Sequence, residues 1–164
     1  MHGAWHFRVV APAVSRLRAY RIVDADWSRD LAGIRAVRQA VFVEEQGIPE
    51  TLEWDGNDGD CRHVLALAED DAEAVATGRL MADGRIGRMA VLQAWRGYGV
   101  GRALLERLQQ RALRAGLRDV YVHARLEVAG FYSNAGFRLA GQPFVTADIA
   151  HVAMTKTLDA ARTT

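Results

Sequence analysis

Gln93-Ala94-Trp95-Arg96-Gly97-Tyr98-Gly99-Val100-Gly101-Arg102 joins two patterns of different period. Before it, Ile86 to Leu92 reads as a strand. After it, Leu104, Leu105, Leu108, Ala112 and Leu113 recur at helical spacing to about Ala115. Glycines at 97, 99 and 101 let the backbone bend tightly and approach a ligand with no Cβ in the way. The first N–H groups of the following helix lack intrahelical partners and sit at the positive end of its dipole. Such a turn is suited to phosphate. Arg96 and Arg102 bracket it with positive charge.

Two common phosphate loops do not fit. A P-loop places Lys and then Ser or Thr after its last glycine, where this chain has Arg102 and Ala103. A dinucleotide loop needs G-x-G-x-x-G and an acid at the end of the next strand. Here the spacing is G-x-G-x-G, and Asp119 falls at a strand start. The pattern that fits is R-x-x-G-x-G entered from the strand Arg88-Met89-Ala90-Val91. It resembles the acyl-CoA pyrophosphate loop of the GNAT superfamily of N-acetyltransferases.

Composition agrees with one soluble, enzyme-sized domain. A chain of 164 residues is long enough for a single core and short for two. Its net charge of +1 gives no general attraction to nucleic acid or membrane, and neither is expected as a partner. The single Cys61 cannot close an internal disulfide, which fits a reducing, cytoplasmic setting. Residues 1–18 carry no periodicity and read as a frayed N-terminal extension, since Val9-Val10 is too short for a signal-peptide apolar region. Residues 19–164 are expected to form the single domain.

Tyr20 to Ala25 reads as the first strand. Ser28 offers a helix N-cap and Asp30 suits the first turn. Leu31, Ile34, Val37, Ala40 and Val41 extend that helix to about Gln46, where Gly47 and Pro49 stop it. From Gln39 through Cys61 there is no basic residue, whereas Glu44, Glu45, Glu50, Glu53, Asp55, Asp58 and Asp60 are acidic. This run reads either as a solvated loop or as a surface that attracts amines. It is no EF-hand, because Gly59 replaces a ligand and Asp60 occupies the turn-glycine position. No metal is expected.

His63 to Leu67 and Val75 to Met81 are further strands, and Asp83-Gly84 signals a hairpin into Ile86 to Leu92. Gly116 caps the second long helix, and Asp119 to Ala124 follows as a parallel strand. A short helix then carries Phe131 and Tyr132 and ends at Gly136. Phe137 to Gly141 and His151 to Lys156 are the last strands, with Pro143 in the loop between them. This order matches the GNAT superfamily from Tyr20 to Thr157. The resemblance implies an α/β (α+β) GNAT fold, a mixed sheet of about six to seven strands with about four helices and a splayed fourth and fifth strand. Arg38 to Gln46, Glu53 to Asp58, His63 and His151 to Met154 also resemble the ElaA/YjcF-like branch of small bacterial acetyltransferases. Arg125 departs from the wider pattern, which often has Asn there.

The resemblance implies acetyl-CoA as acyl donor, bound by the backbone of Met89, Ala90 and Val91 and by the loop Arg96, Gly97, Tyr98, Gly99, Val100, Gly101 and Arg102. Tyr132 is the candidate acid for the departing sulfur, with simple packing on the sheet as its alternative. Glu45, His123 and His151 are candidate bases for the amine, Glu45 first. Arg38, Glu53, Asp55 and His63 are the candidate acceptor contacts. A small-molecule amine, cationic on account of the acidic run, is the expected acceptor. A catalytically silent acyl-CoA-binding sensor or scaffold is the alternative function. A homodimer stays open.

Overall fold

The computed structural model describes residues 18–160, so the expected extension over 1–18 lies almost wholly outside the described residues. The strands β1 (Tyr20–Ala25), β2 (Arg62–Ala68), β3 (Ala74–Leu80) and β4 (Ile86–Val91) form one antiparallel sheet in chain order. Strand alternation splits β2 between two helical layers. Val64, Ala66 and Ala68 join the core under the long helix, while Leu65 packs with Ile34 of the first helix.

That first helix, α1 (Leu31–Arg38), begins differently from the sequence expectation. Asp26 Oδ1 accepts the N–H groups of Ser28 and Arg29 at 3.0 and 3.1 Å and the Ser28 hydroxyl as well, and Asp30 holds the N-cap position. An ionised carboxylate outcompetes a hydroxyl for those free donors. Helical structure then continues as a π-helical segment, Gln39–Glu45, and stops at Gly47 with φ of +69°. Wider π turns carry Val41 and Phe42 onto Ala90 and Leu92 beside β4. A short α2 (Glu50–Glu53) lies within the acidic run.

After β4, α3 (Val100–Arg114) packs Leu104, Leu105 and Leu108 into the core. The second sheet contains β5 (Asp119–Arg125), then α4 (Ala129–Asn134) intervenes in the chain, and β6 (Arg138–Leu139), β7 (Phe144–Thr146) and β8 (Ile149–Thr157) complete it. β8 pairs with β5 along one edge and with β6 and β7 along the other. Among the described residues there are eight strands, one more than the six to seven expected. The extra β7 stands where a loop was expected. It turns into β8 through Ala147 and Asp148, both left-handed at φ +50° and +60°, a hairpin made without the Asn-Gly or Asp-Gly signal.

β4 and β5 run parallel and, among the described residues, meet in a single bridge, Arg85–Tyr121. Beyond it they part, as the resemblance implies. β4 also bulges there: Thr77 pairs with Ala90 and Arg79 with Gly87, so Gly78 faces both Arg88 and Met89. A Cβ on Gly78 would lie 2.7 Å from Met89 Sδ and 2.9 Å from Leu108 Cδ1. Glycine here is what lets Met89 turn inward. No helix among the described residues is long and apolar enough to cross a membrane.

Candidate active site

The glycine loop leaves the start of α3 open. Gly97 and Gly99 have φ of +83° and +80°, conformations that suit glycine, and Gly99 is the N-cap with no side chain capping the helix. The first intrahelical bond is Ala103 N–H to the Gly99 carbonyl at 3.0 Å. The N–H groups of Val100, Gly101 and Arg102 therefore have no helical acceptor and are left for a ligand. Tyr20 supports the outside of the turn by donating its hydroxyl to the Tyr98 carbonyl, 3.3 Å away. Arg18 lies over the Trp95 and Tyr98 rings at 5.1 and 5.8 Å.

Of the two arginines expected to bracket the loop, Arg102 is exposed beside Glu106. Arg96 is turned elsewhere. Its Nε donates to the Val91 carbonyl at 3.0 Å, and its two Nη atoms clamp the Glu45 carboxylate at 2.6 and 2.7 Å. This hydrogen-bonded contact holds the Glu45 carboxyl below its ordinary value. Glu45 therefore stands here as an ion-pair partner, with both oxygens engaged.

Met89, Ala90 and Val91 lie on the β4 edge that faces the cleft. Tyr132 is buried, its ring set edge-on to Phe131 and Phe137 at 5.0 and 5.6 Å. Burial pushes its phenol up to about 12. It stays protonated at working pH and is a hydrogen-bond donor. His123 and His151 occupy the second sheet on either side of Phe144, edge-on at 5.2 Å and stacked at 5.8 Å. Partial burial, with Arg85 and His151 nearby, holds His123 below the usual imidazole value. His151 Nδ1 sits 2.8 Å from the Ile149 carbonyl, which fixes its ring. Phe144 had no sequence signal, since it lay beside Pro143 in an apparent loop.

The acidic run is not what its sequence suggested. Arginines from outside it neutralise its inner members. Arg38 donates to Glu53 Oε1 and Asp58 Oδ1, both at 2.6 Å, and Arg79 reaches Asp58 at 2.9 Å and also Asp55. Arg88 Nε lies 3.2 Å from Glu53 Oε2, and its Nη2 donates to the Leu52 and Glu53 carbonyls. Three guanidinium groups thus meet three carboxylates, a net charge of zero. Arg79 hydrogen bonding holds the Asp55 carboxyl far below its usual range. Arg38 and Glu53 are 1% and 2% exposed, and Trp54 stacks 4.6 Å from the Arg38 guanidinium. His63, also buried, stacks on Trp27 at 5.4 Å with Nε2 2.8 Å from the Asp58 carbonyl. Arg38, Glu53 and His63 are therefore internal supports and not open acceptor contacts, and Asp55 is tied into the same network.

Residues 20–158 match the model of the acetyltransferase (GNAT) domain, and the chain belongs to that family. The N-acetyltransferase YjcF of Bacillus subtilis, itself uncharacterised, is 32% identical over 73% of this chain and 87% of its own length. An acyl-CoA N-acyltransferase from Pseudomonas aeruginosa is 30% identical, with a TM-score of 0.75 over 85% of this chain and all of its own. Escherichia coli ElaA is 30% identical, with a TM-score of 0.71 over 83% of this chain and 99% of its own. These similarities agree with the ElaA/YjcF-like branch, and the enzyme is an N-acetyltransferase.

The ion network sets an expectation for Glu53. Replacing it by Lys leaves buried guanidiniums facing a third cation, and loss of one buried partner costs about 3–5 kcal/mol. Thermal unfolding should fall by about 10 °C. A Glu53→Lys protein with unchanged melting temperature and a raised KM for its amine would restore the acceptor role.

Proposed function

We propose that this enzyme carries an acetyl group from acetyl-CoA to the primary amine of a small acceptor by direct attack on the thioester. The observation that carries this reading is the parting of β4 from β5 beside the uncapped start of α3. The residues fit the donor. The N–H groups of Val100, Gly101 and Arg102 would hold its pyrophosphate, and the β4 edge from Met89 to Val91, where the Val91 carbonyl already accepts from Arg96 Nε, would pair with its pantetheine amides. The cosubstrate supplies an activated carbonyl and a thiolate leaving group.

The chain's own groups then divide the proton transfers. A strand N–H near Val91 polarises the carbonyl oxygen. The amine nitrogen bonds to the carbonyl carbon as the C–S bond breaks. The amine proton passes to a base, and the sulfur takes a proton from Tyr132. Glu45 is a weak base while Arg96 grips it. His123 is the better placed of the candidates chemically, because its lowered value keeps it neutral at pH 7 with a lone pair free.

Donor binding is tested by thermal shift. Acetyl-CoA at 100 times its dissociation constant should stabilise the fold by about 2.7 kcal/mol. Gly99→Glu should abolish the shift, since a carboxylate there repels phosphate and a left-handed φ of +80° strains any side chain. A shift that survives the substitution assigns the donor to another place.

Tyr132→Phe keeps the packed ring and removes only the proton donor, so thiol release should fall roughly 10²–10⁴-fold with donor affinity nearly intact. Unchanged turnover would make Tyr132 structural. Thiol release that is absent for every amine tried, despite a normal donor shift, would instead indicate a binding module.

The third test is a pH profile. The acid limb of kcat/KM should lie below the ordinary imidazole value of about 6.5 and disappear in His123→Gln. A limb that persists in that variant passes the role to His151 or Glu45.

A further inference from the structure

We infer that Arg125 is an anchor for a carboxylate on the acceptor, so that the amines acetylated are small amino acids or similar carboxylate-bearing amines. The inference rests on the assignment of the β4–β5 cleft to acetyl transfer.

Arg125 is the last residue of β5, on the same strand face as His123 and directly across from His151 of β8. It also flanks the cleft. It stands four residues beyond Tyr121 on β5, past the Arg85–Tyr121 bridge, in the stretch where β5 has parted from β4.

Its side chain is 28% exposed, but its hydrogen bonding is incomplete. Arg125 Nε is fully buried and has no hydrogen-bond partner among the described residues. Its nearest carboxylate, that of Glu127, is 3.6 Å from Nη1 and largely exposed. Arg38 and Arg79 hold carboxylates, and Arg111 donates to the His63 carbonyl. Arg88 Nε is buried without a hydrogen bond as well, yet it faces the Glu53 carboxylate 3.2 Å away, whereas no carboxylate faces Arg125 Nε among the described residues. A buried donor with no acceptor is costly and uncommon in folded proteins. Nε and one Nη form the guanidinium edge that meets a carboxylate through two parallel hydrogen bonds.

Charge around the cleft agrees. Glu53, Asp55 and Asp58 are balanced by arginines, Glu45 is held by Arg96, and Asp83 accepts the Tyr121 hydroxyl. Nothing in that set is left to hold a second ammonium group. The stacked rings of Phe144 and His151 give the acceptor an aromatic wall beside Arg125.

The test uses product analogues, which need no turnover. Binding to the full chain with CoA present is measured for matched pairs with and without the carboxylate: N-acetyl derivatives of alanine, phenylalanine and lysine against those of the corresponding decarboxylated amines. The carboxylate member should bind about 10- to 100-fold more tightly in at least one pair. Arg125→Gln should remove that preference, Arg125→Lys should retain part of it, and neither should change the acetyl-CoA dissociation constant. Both variants should melt no lower than the parent, because the residue removed has an unsatisfied N–H.

Absence of discrimination in every pair overturns the proposal. So does a preference that survives Arg125→Gln while acetyl-CoA affinity drops, which would assign Arg125 to the donor. A carboxylate preference without thiol release from any amine would support the anchor and refute the transfer reading.

Discussion

A strand edge left unpaired in the middle of a protein has to be kept that way. Backbone N–H and C=O groups are strong hydrogen-bonding groups, and two parallel strands that already share a bridge would gain by zipping together. β4 and β5 share one bridge and then diverge. On β4 the divergence coincides with the bulge at Arg88 and Met89, where Arg88 is left-handed at φ +49°. For a residue with a side chain that conformation costs roughly 1–2 kcal/mol. Arg88 is held in it from outside the strand, by the Leu52 and Glu53 carbonyls and the Glu53 carboxylate. A loop more than thirty residues earlier in the chain thus grips the bulge beside which the two strands part.

That grip explains a costly arrangement. Buried ion pairs seldom stabilise a protein more than apolar groups of the same volume would, because both charges lose their hydration. Burial, with the neighbouring Arg79 and Arg38 charges adding to it, lowers the proton affinity of Arg88 in spite of Glu53 and Asp55. What three arginines and three carboxylates provide is direction. Arg38 from α1, Arg79 from β3 and Arg88 from β4 all converge on the segment between Glu53 and Asp58. Hydrophobic contacts have no preferred orientation, whereas a guanidinium fork does. Trp27 and Trp54, lying 5.9 and 4.6 Å from the Arg38 guanidinium, exclude water from the centre of the network.

The parts of this enzyme that were legible in sequence are those with local causes. A glycine loop between a strand and a helix is specified within ten residues, and so is its open helix start. The succession of elements along the chain followed from period and turn signals, whereas the place of β8 between β5 and β6 did not. The acidic run was misread because its counter-charges lie at positions 38, 79 and 88, and nothing local connects them to positions 53 to 58. Ser28 was a sound N-cap by composition, yet Asp26 two residues earlier took the donors. β7 escaped because Ala147-Asp148 is not a usual hairpin pair. The π-helical turn over Gln39–Glu45 has no period of its own in so short a segment, and it is tertiary packing on Ala90 and Leu92 that accompanies it.

Charge in a sequence therefore says little until each charged group's partners are counted. Glu53 and Arg125 make the contrast. Glu53 looked free, with no basic residue near it in the chain, and it is fully enclosed by two arginines. Arg125 stood out in sequence only as a departure from the family pattern, and its Nε is buried without an acceptor. Enclosure with matched partners removes a group from solution chemistry, because its field is cancelled within a few ångströms. Enclosure without a partner does the opposite: desolvation is already complete, so an arriving carboxylate need not strip water from that N–H. By that criterion the unmet hydrogen-bonding capacity beside the parted strands lies on β5, at Arg125, while the acidic loop grips the bulge of β4.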